Sequence, residues 1–241
     1  MRNRLFRLII YASVIQQFLF CTMKENILEI NFLSGVPLTR QISFHSILFG
    51  YWYFPVFFIV YYFSGYFSRV ENYEVIILIK NVKRSRYFIR KLLAITKELA
   101  MLVGIQVFMS MVTDAIKMKF LDVKSAFFLN QDIETILACL VNYFIVMLIV
   151  ILIENLLQIF FKDINCNVIV NIFIIASVFV YNYNTNLRHG IFKLVNTSMH
   201  MRVQALEIKD YIYLLLILCC TIGLMFYKWN KNDLLGGEYY D

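Results

Sequence analysis

Long runs of apolar residues, separated by short charged segments, constrain this chain more than any other feature. A membrane-spanning helix needs about 20 mostly apolar residues. Six stretches approach that length, at about 5–23, 44–67, 92–112, 132–161, 168–183 and 210–227. Hydrophobic residues make up 61% of the 241 residues, more than a soluble domain of this size can bury. The sequence therefore predicts an all-α integral membrane protein, with one transmembrane domain of six helices over residues 1–241.

The distribution of basic residues predicts which side of the membrane each loop occupies. Lys and Arg are enriched on the cytoplasmic side of membrane proteins. If both termini are cytoplasmic, fourteen of the 23 Lys and Arg residues lie inside, with the densest group in the short loop after the second run. The sequence therefore predicts cytoplasmic N and C termini. The net charge of +7 is interpreted as an orientation signal, and no nucleic-acid partner is expected.

The segment between the second and third runs is both basic and partly amphipathic. Its apolar residues Val75, Leu78, Ile79 and Val82 recur at the spacing of one helix face, and Lys and Arg are frequent among the residues that follow. A basic helix of this kind suits a cytoplasmic membrane surface, where it contacts either lipid headgroups or a soluble partner. Position alone leaves both interpretations open.

Three features of the chain resemble the permease subunit of bacterial ABC-2 type transporters. They are the six predicted spans with cytoplasmic termini, the basic run LIKNVKRSRYFIRKLL before the third span, and the tail FYKWNKNDLL after the last span. The small size and the Tyr-, Ile- and Asn-rich composition are most similar to permeases of Gram-positive peptide or bacteriocin export and immunity systems. The resemblance implies a multi-pass protein of a Gram-positive plasma membrane. Its implied partners are membrane lipid, ABC ATPase subunits and a second permease subunit, either a copy or a paralogue.

The resemblance also implies a role for the basic segment. In such permeases an amphipathic coupling helix between helices 2 and 3 docks into a groove of the ATPase. The residues that would make this contact are Tyr73, Glu74, Lys80, Lys83, Arg84, Arg86, Arg90 and Lys91. The implied function is outward movement of an amphipathic or antimicrobial peptide, with a lipid or a lipid-linked molecule as the next candidate substrate.

The sequence gives no sign of catalytic or metal chemistry. A phosphate-binding loop needs the pattern G-x-x-x-x-G-K-[ST], and none of the eight glycines starts it. The three histidines and five scattered cysteines lack metal-ligand spacing. We therefore expect no enzyme, metal or cofactor in this chain, with ATP and Mg²⁺ bound by a separate ATPase subunit.

Polar side chains within the predicted spans are further candidates for function. Glu154, in the fourth run, either transmits motion or lines an inner vestibule, or is an interfacial acid paired with a residue such as Lys97. Lys97 and Glu98 are interpreted chiefly as interfacial anchors. Asn142 and Asn155 are expected to form hydrogen bonds between helices, with a polar substrate path as the alternative.

A second hypothesis comes from a different functional class. The chain would then be a non-transporting membrane scaffold, or a peptide sensor or receptor that anchors a soluble partner. An adjacent gene for an ABC ATPase would favour the permease.

Overall fold

A computed structural model describes residues 2–22, 32, 33, 35, 42–67, 84–120, 131–161, 165–183 and 208–231. Six helices lie in these ranges, which contain no strand. They are α1 (Arg2–Thr22), α2 (Ile42–Phe63), α3 (Arg84–Phe120), α4 (Ile133–Phe160), α5 (Cys166–Tyr183) and α6 (Ile208–Lys231). The prediction of an all-α protein is confirmed.

Four of the helices are long and apolar enough to cross a membrane. The qualifying segments are Ser46–Phe63 of α2, Ser85–Ile116 of α3, Ile133–Phe160 of α4 and Lys209–Asn230 of α6. Helix α5 contributes a shorter apolar stretch, Cys166–Val180. Large apolar side chains such as Leu93, Phe108, Ile172 and Leu216 are exposed on these helices. Length, composition and exposed apolar surface are all consistent with a multi-pass membrane protein.

Ring contacts show which helix ends lie together. Phe6 near the start of α1 lies 6.4 Å from Tyr62 at the end of α2, measured between ring centroids. Lys91 near the start of α3 lies over the ring of Trp229 near the end of α6. The start of α1 and the end of α6 therefore lie at the same end of the bundle. We call it the turn end, after the turn Ser64–Phe67 that follows α2 there.

Helix α4 lies at the centre of the bundle. It packs against α2, α3, α5 and α6, and it carries a large share of the buried apolar side chains. Helix α1 packs against α2 and α3. Most of the largest buried side chains are aromatic: Trp52, Trp229, Tyr143, Phe32, Phe63, Phe67 and Phe88.

Helix α3 is longer than the predicted span 92–112. It has 37 residues and continues through residues 113–120. The predicted span ends at residue 112, where the apolar run stops. Gln106, Ser110, Thr113 and Asp114 recur at helical spacing and are all buried, and the Thr113 hydroxyl donates to the carbonyl of Met109 within the helix. Because Thr113 and Asp114 are buried against the other helices, α3 continues beyond the apolar run.

Candidate functional site

The turn that ends α2 is built around a glycine. Gly65 has a φ of 68°, a left-handed conformation that favours glycine because it has no Cβ. The amide of Ser64 donates to the carbonyl of Tyr61, and the amide of Tyr66 donates to the carbonyl of Phe63. The chain therefore leaves the helix axis sharply after Phe63, and Phe67 is fully buried at the end of the turn.

Asn155 of α4 holds this turn through its side-chain amide. Its Nδ2 donates to the carbonyls of Phe63, at 3.0 Å, and of Ile151 in its own helix, at 2.9 Å. Its Oδ1 accepts from the backbone amide of Phe67 at 3.1 Å. Asn155 thus pairs with the carbonyl of Phe63 before the turn and with the amide of Phe67 at its end. The sequence-based expectation of a hydrogen bond from Asn155 to another helix agrees with this geometry.

Glu154 lies beside Asn155 and binds the same turn. Its Oε1 accepts from the Ser64 hydroxyl and from Gln158 Nε2, both at 2.7 Å. Gln158 Nε2 also lies 2.9 Å from the Ser64 hydroxyl, which closes a three-membered network. Among the described residues Glu154 is not paired with Lys97, which is exposed. The contact with Ser64 joins α4 to the turn that ends α2.

Lys91 of α3 holds the turn from its other side. Only 6% of its surface is exposed, and its Nζ donates to the carbonyl of Tyr66 at 3.1 Å. The same ammonium lies over three aromatic rings, with centroid distances of 5.7 Å to Tyr66, 5.3 Å to Tyr87 and 5.8 Å to Trp229. Aromatic faces attract cations, and the attraction strengthens when water is excluded. Lys91 is therefore directed into the bundle, although the resemblance implied that it contacts a partner.

Trp229 connects α6 to the same site. Its ring makes an edge contact with Phe67 at 5.7 Å and stacks on Tyr87 at 6.0 Å. It is 1% exposed. The last turns of α6 therefore pack against both the turn and the beginning of α3.

We call this set the turn cluster: Ser64–Phe67, Lys91, Glu154, Asn155, Gln158 and Trp229. It joins the end of α2, the start of α3 and the ends of α4 and α6 through hydrogen bonds and ring contacts. These contacts connect all four helices at the turn.

The predicted coupling residues divide into two groups. Tyr73, Glu74, Lys80 and Lys83 lie outside the described residues. Arg84 begins α3, and Arg86 and Arg90 are exposed on its first turns. The exposed residues Arg86 and Arg90 and the turn-cluster residue Lys91 therefore lie on the same short stretch of α3.

Two other predicted candidates lie elsewhere. Glu98 accepts a hydrogen bond from the Tyr62 hydroxyl at 3.1 Å, which links α3 to α2. Asn142 of α4 is buried, and its Oδ1 and Nδ2 find no hydrogen-bond partner among the described residues. The expectation of an interhelical bond from Asn142 is not met within this part of the chain.

A second set of buried polar groups lies farther from the turn end. Gln16 of α1 donates to the carbonyls of Tyr51 and Trp52 in α2, at 3.1 and 3.0 Å. The Trp52 indole donates to the carbonyl of Phe32 at 3.2 Å. Tyr143, which belongs to this level, and Asn155 are twelve positions apart on α4, so the level lies about 18 Å from the turn cluster.

Phe32 and Tyr143 continue this set across the bundle. The Phe32 ring meets Tyr143 edge-on at 5.5 Å, and the Tyr143 hydroxyl donates to Gln106 Oε1 at 3.1 Å. We call Gln16, Trp52, Phe32, Tyr143 and Gln106 the mid-bundle layer. It links α1, α2, α3 and α4 through one residue of the connection between α1 and α2.

Phe32 and Leu33 lie between the first two predicted spans and were not predicted to be buried. They are 1% and 0% exposed, so both side chains belong to the core of the bundle. The signal was the apolar pair itself, followed by Gly35, whose φ of 79° marks a turn. Lys91 was identified from its charge, but its aromatic neighbours come from three separate segments and could not be read from spacing.

The described residues contain no group of three or more His, Cys, Asp or Glu that could hold a metal ion. The turn cluster consists of hydrogen bonds and ring contacts at the turn end, and the mid-bundle layer consists of neutral amides and aromatic rings.

Comparison with known proteins identifies a family for nearly the whole chain. No curated protein and no solved structure matches it. A family model described as "Protein of unknown function (DUF2705)" matches residues 9–235. The chain therefore belongs to the DUF2705 family.

Proposed function

We propose that this protein is the membrane permease subunit of an ATP-driven ABC exporter. The chain would cross the membrane six times with both termini in the cytoplasm, and the turn end would face the cytoplasm. It would pair with a second permease subunit and bind two ATPase subunits, which would hold ATP and Mg²⁺. The membrane would be the plasma membrane of a Gram-positive bacterium.

One observation carries the proposal: the basic segment has both of its ends fixed at the turn cluster. The segment directly follows Phe67, which is buried and bonded to Asn155. It precedes Arg84, which lies seven residues before Lys91, and Lys91 is bonded to Tyr66. A soluble partner bound to this segment would therefore pull on α2, α3, α4 and α6 together.

The length of α3 suits this role. Its 37 residues extend for about 55 Å, whereas the hydrocarbon core of a bilayer is about 30 Å thick. The first turns of α3 would then project beyond the hydrocarbon, with Arg86 and Arg90 exposed to the cytoplasm or to a partner.

ATP binding would draw the two ATPases together and move the docked segments as rigid bodies. The turn cluster would convert this movement into a shift of the helices. In this scheme the exposed arginines make the contact, whereas Lys91, Glu154 and Asn155 transmit the motion. The substrate would be an amphipathic or antimicrobial peptide moved outward, and the chain itself would catalyse no reaction.

Affinity purification of the tagged protein from its own host, in mild detergent, tests the proposal. Mass spectrometry of the wild type should identify an ATPase with a Walker A motif. The variant K83E/R84E/R86E should lose it, because three reversed charges would repel an acidic docking surface. The matched control is K117E/K119E/K124E, which reverses the same number of charges around the other end of α3 and should retain the ATPase.

Each outcome separates the hypotheses. Loss of the ATPase from the first variant alone supports a permease coupled through this segment. Retention of the ATPase by both variants contradicts docking through these residues. If the wild type purifies with a different soluble protein and never with an ATPase, the chain is a scaffold or sensor instead.

A further inference from the structure

The mid-bundle layer contains buried amide atoms that are unused within the part of the chain described above. Gln16 Oε1 and Gln106 Nε2 have no hydrogen-bond partner there, and both residues are 1% exposed. Gln17 Nε2, one residue along α1, is in the same situation. Buried polar groups normally have hydrogen-bond partners, so these amide atoms have the capacity to bind a polar ligand.

The residues that carry the unused atoms are connected by one series of contacts across the bundle. Gln16 and Gln106 lie at opposite ends of a chain of contacts that passes through Trp52, Phe32 and Tyr143. Asn142, with both amide atoms unused, is adjacent to Tyr143 on α4. Helices α1, α3 and α4 therefore each contribute an unused amide to the level at which Phe32 enters the bundle.

The chemistry of these groups identifies a class of ligand. The layer has no charged side chain among its five residues, so it does not suit a phosphate headgroup or a metal ion. Primary amides offer both a donor and an acceptor, as does each peptide unit of a main chain. An extended peptide repeats these groups every 3.2–3.4 Å or so along its length. The neighbouring rings of Phe32, Trp52 and Tyr143 would cover apolar side chains.

We propose that the mid-bundle layer is a binding site for the main chain of a neutral, apolar peptide segment, covered by Phe32 and Leu33. This inference rests on the proposed function, because export gives a reason for a peptide to enter the bundle. It deepens that function by assigning the recognition to the peptide main chain rather than to a particular side chain.

Photolabelling of the purified protein in lipid nanodiscs tests the site. The probe is N-acetylated, C-amidated tetraleucine in which one residue is photo-leucine. Its comparison probe has every amide nitrogen methylated, which removes the donors and keeps the carbonyls. We expect the first probe to label residues near the layer on α1, α3 or α4, and the methylated probe to label them at least fivefold less.

Two variants examine the amides directly. Asn142→Leu and Gln106→Met should each reduce labelling by about fivefold to tenfold, the effect of losing one net hydrogen bond. The control is Val141→Leu, because Val141 is exposed on the next position of α4 and should not change labelling. Asn142→Leu removes no bond between described residues, so a change in labelling without loss of stability separates binding from folding.

The proposal is overturned if both probes label the protein equally, if the label is confined to exposed helix faces, or if both variants label like the wild type. The permease proposal has an independent test. An ATPase that co-purifies and depends on the basic segment, together with no specific labelling, contradicts the peptide site alone. Specific labelling of a protein that never binds an ATPase supports the site and contradicts the permease.

Discussion

Replacing Asn155 with Leu should destabilise the protein strongly, because this one side chain makes several buried hydrogen bonds. Leu has nearly the same size, so packing changes little, but three hydrogen bonds are lost. The buried amide of Phe67 would lose its side-chain acceptor, at a cost of about 1–3 kcal/mol. The lost bond to Phe63 adds about 0.6 kcal/mol, a typical value between helices in a membrane. We expect a decrease of about 2–4 kcal/mol in the free energy of unfolding.

Unfolding in mixed micelles of mild detergent and increasing SDS can measure this decrease. Tryptophan fluorescence is a suitable signal, because Trp229 lies in the turn cluster and Trp52 in the mid-bundle layer, and both are buried. Val141→Leu is the control, since Val141 is exposed on the same helix as Asn155. A loss below about 0.5 kcal/mol for Asn155→Leu, or an equal loss for both variants, would refute the view that Asn155 holds the turn.

Four further predictions concern individual side chains of the two sites. Glu154→Gln should lower the free energy of unfolding by less than about 1 kcal/mol, because its amide carbonyl can still accept from Ser64, whereas Glu154→Leu should lower it by about 2 kcal/mol or more. The same SDS titration measures both variants, and equal losses would contradict the role of Glu154 as a hydrogen-bond acceptor. Trp229→Leu should destabilise the protein by about 2–4 kcal/mol and Trp229→Phe by clearly less, because Phe keeps an aromatic ring and the indole nitrogen has no partner among the described residues. A larger loss for Trp229→Phe than for Trp229→Leu would contradict the importance of the ring contacts. Asn142→Leu should raise stability by about 1–3 kcal/mol, because it removes two buried polar atoms that have no partner in that part of the chain; a decrease would indicate a partner elsewhere in the chain. Trp52→Phe should increase photolabelling of the mid-bundle layer about twofold to tenfold by releasing the Phe32 carbonyl, and unchanged labelling would show that Phe32 does not cover the site.

The helices could be predicted from the sequence because apolar runs are a local property. The start of α1, the body of α4 and the apolar part of α6 all follow from run length. The ends of α3 could not be placed in this way. Its first turns carry basic residues and its last turns carry buried polar residues, so hydropathy alone shortened it at both ends.

The sites were predictable only in part, for a related reason. Glu154 and Asn155 could be selected because polar residues are costly in an apolar helix. Their partner could not be identified, because the turn at Ser64 lies 90 residues away along the chain. Lys91 shows the opposite difficulty. Its sequence neighbourhood is basic and resembles a surface, yet the folded chain surrounds it with Tyr66, Tyr87 and Trp229.

The most direct test of the central proposal is ATP hydrolysis by the complex purified from the host. The wild-type complex should hydrolyse ATP in a vanadate-sensitive manner, the variant K83E/R84E/R86E should retain less than a tenth of that activity per permease, and K117E/K119E/K124E should match the wild type. Equal hydrolysis in all three preparations, or none in the wild type, would contradict the proposal that this protein is driven by an ATPase docked on the segment between α2 and α3.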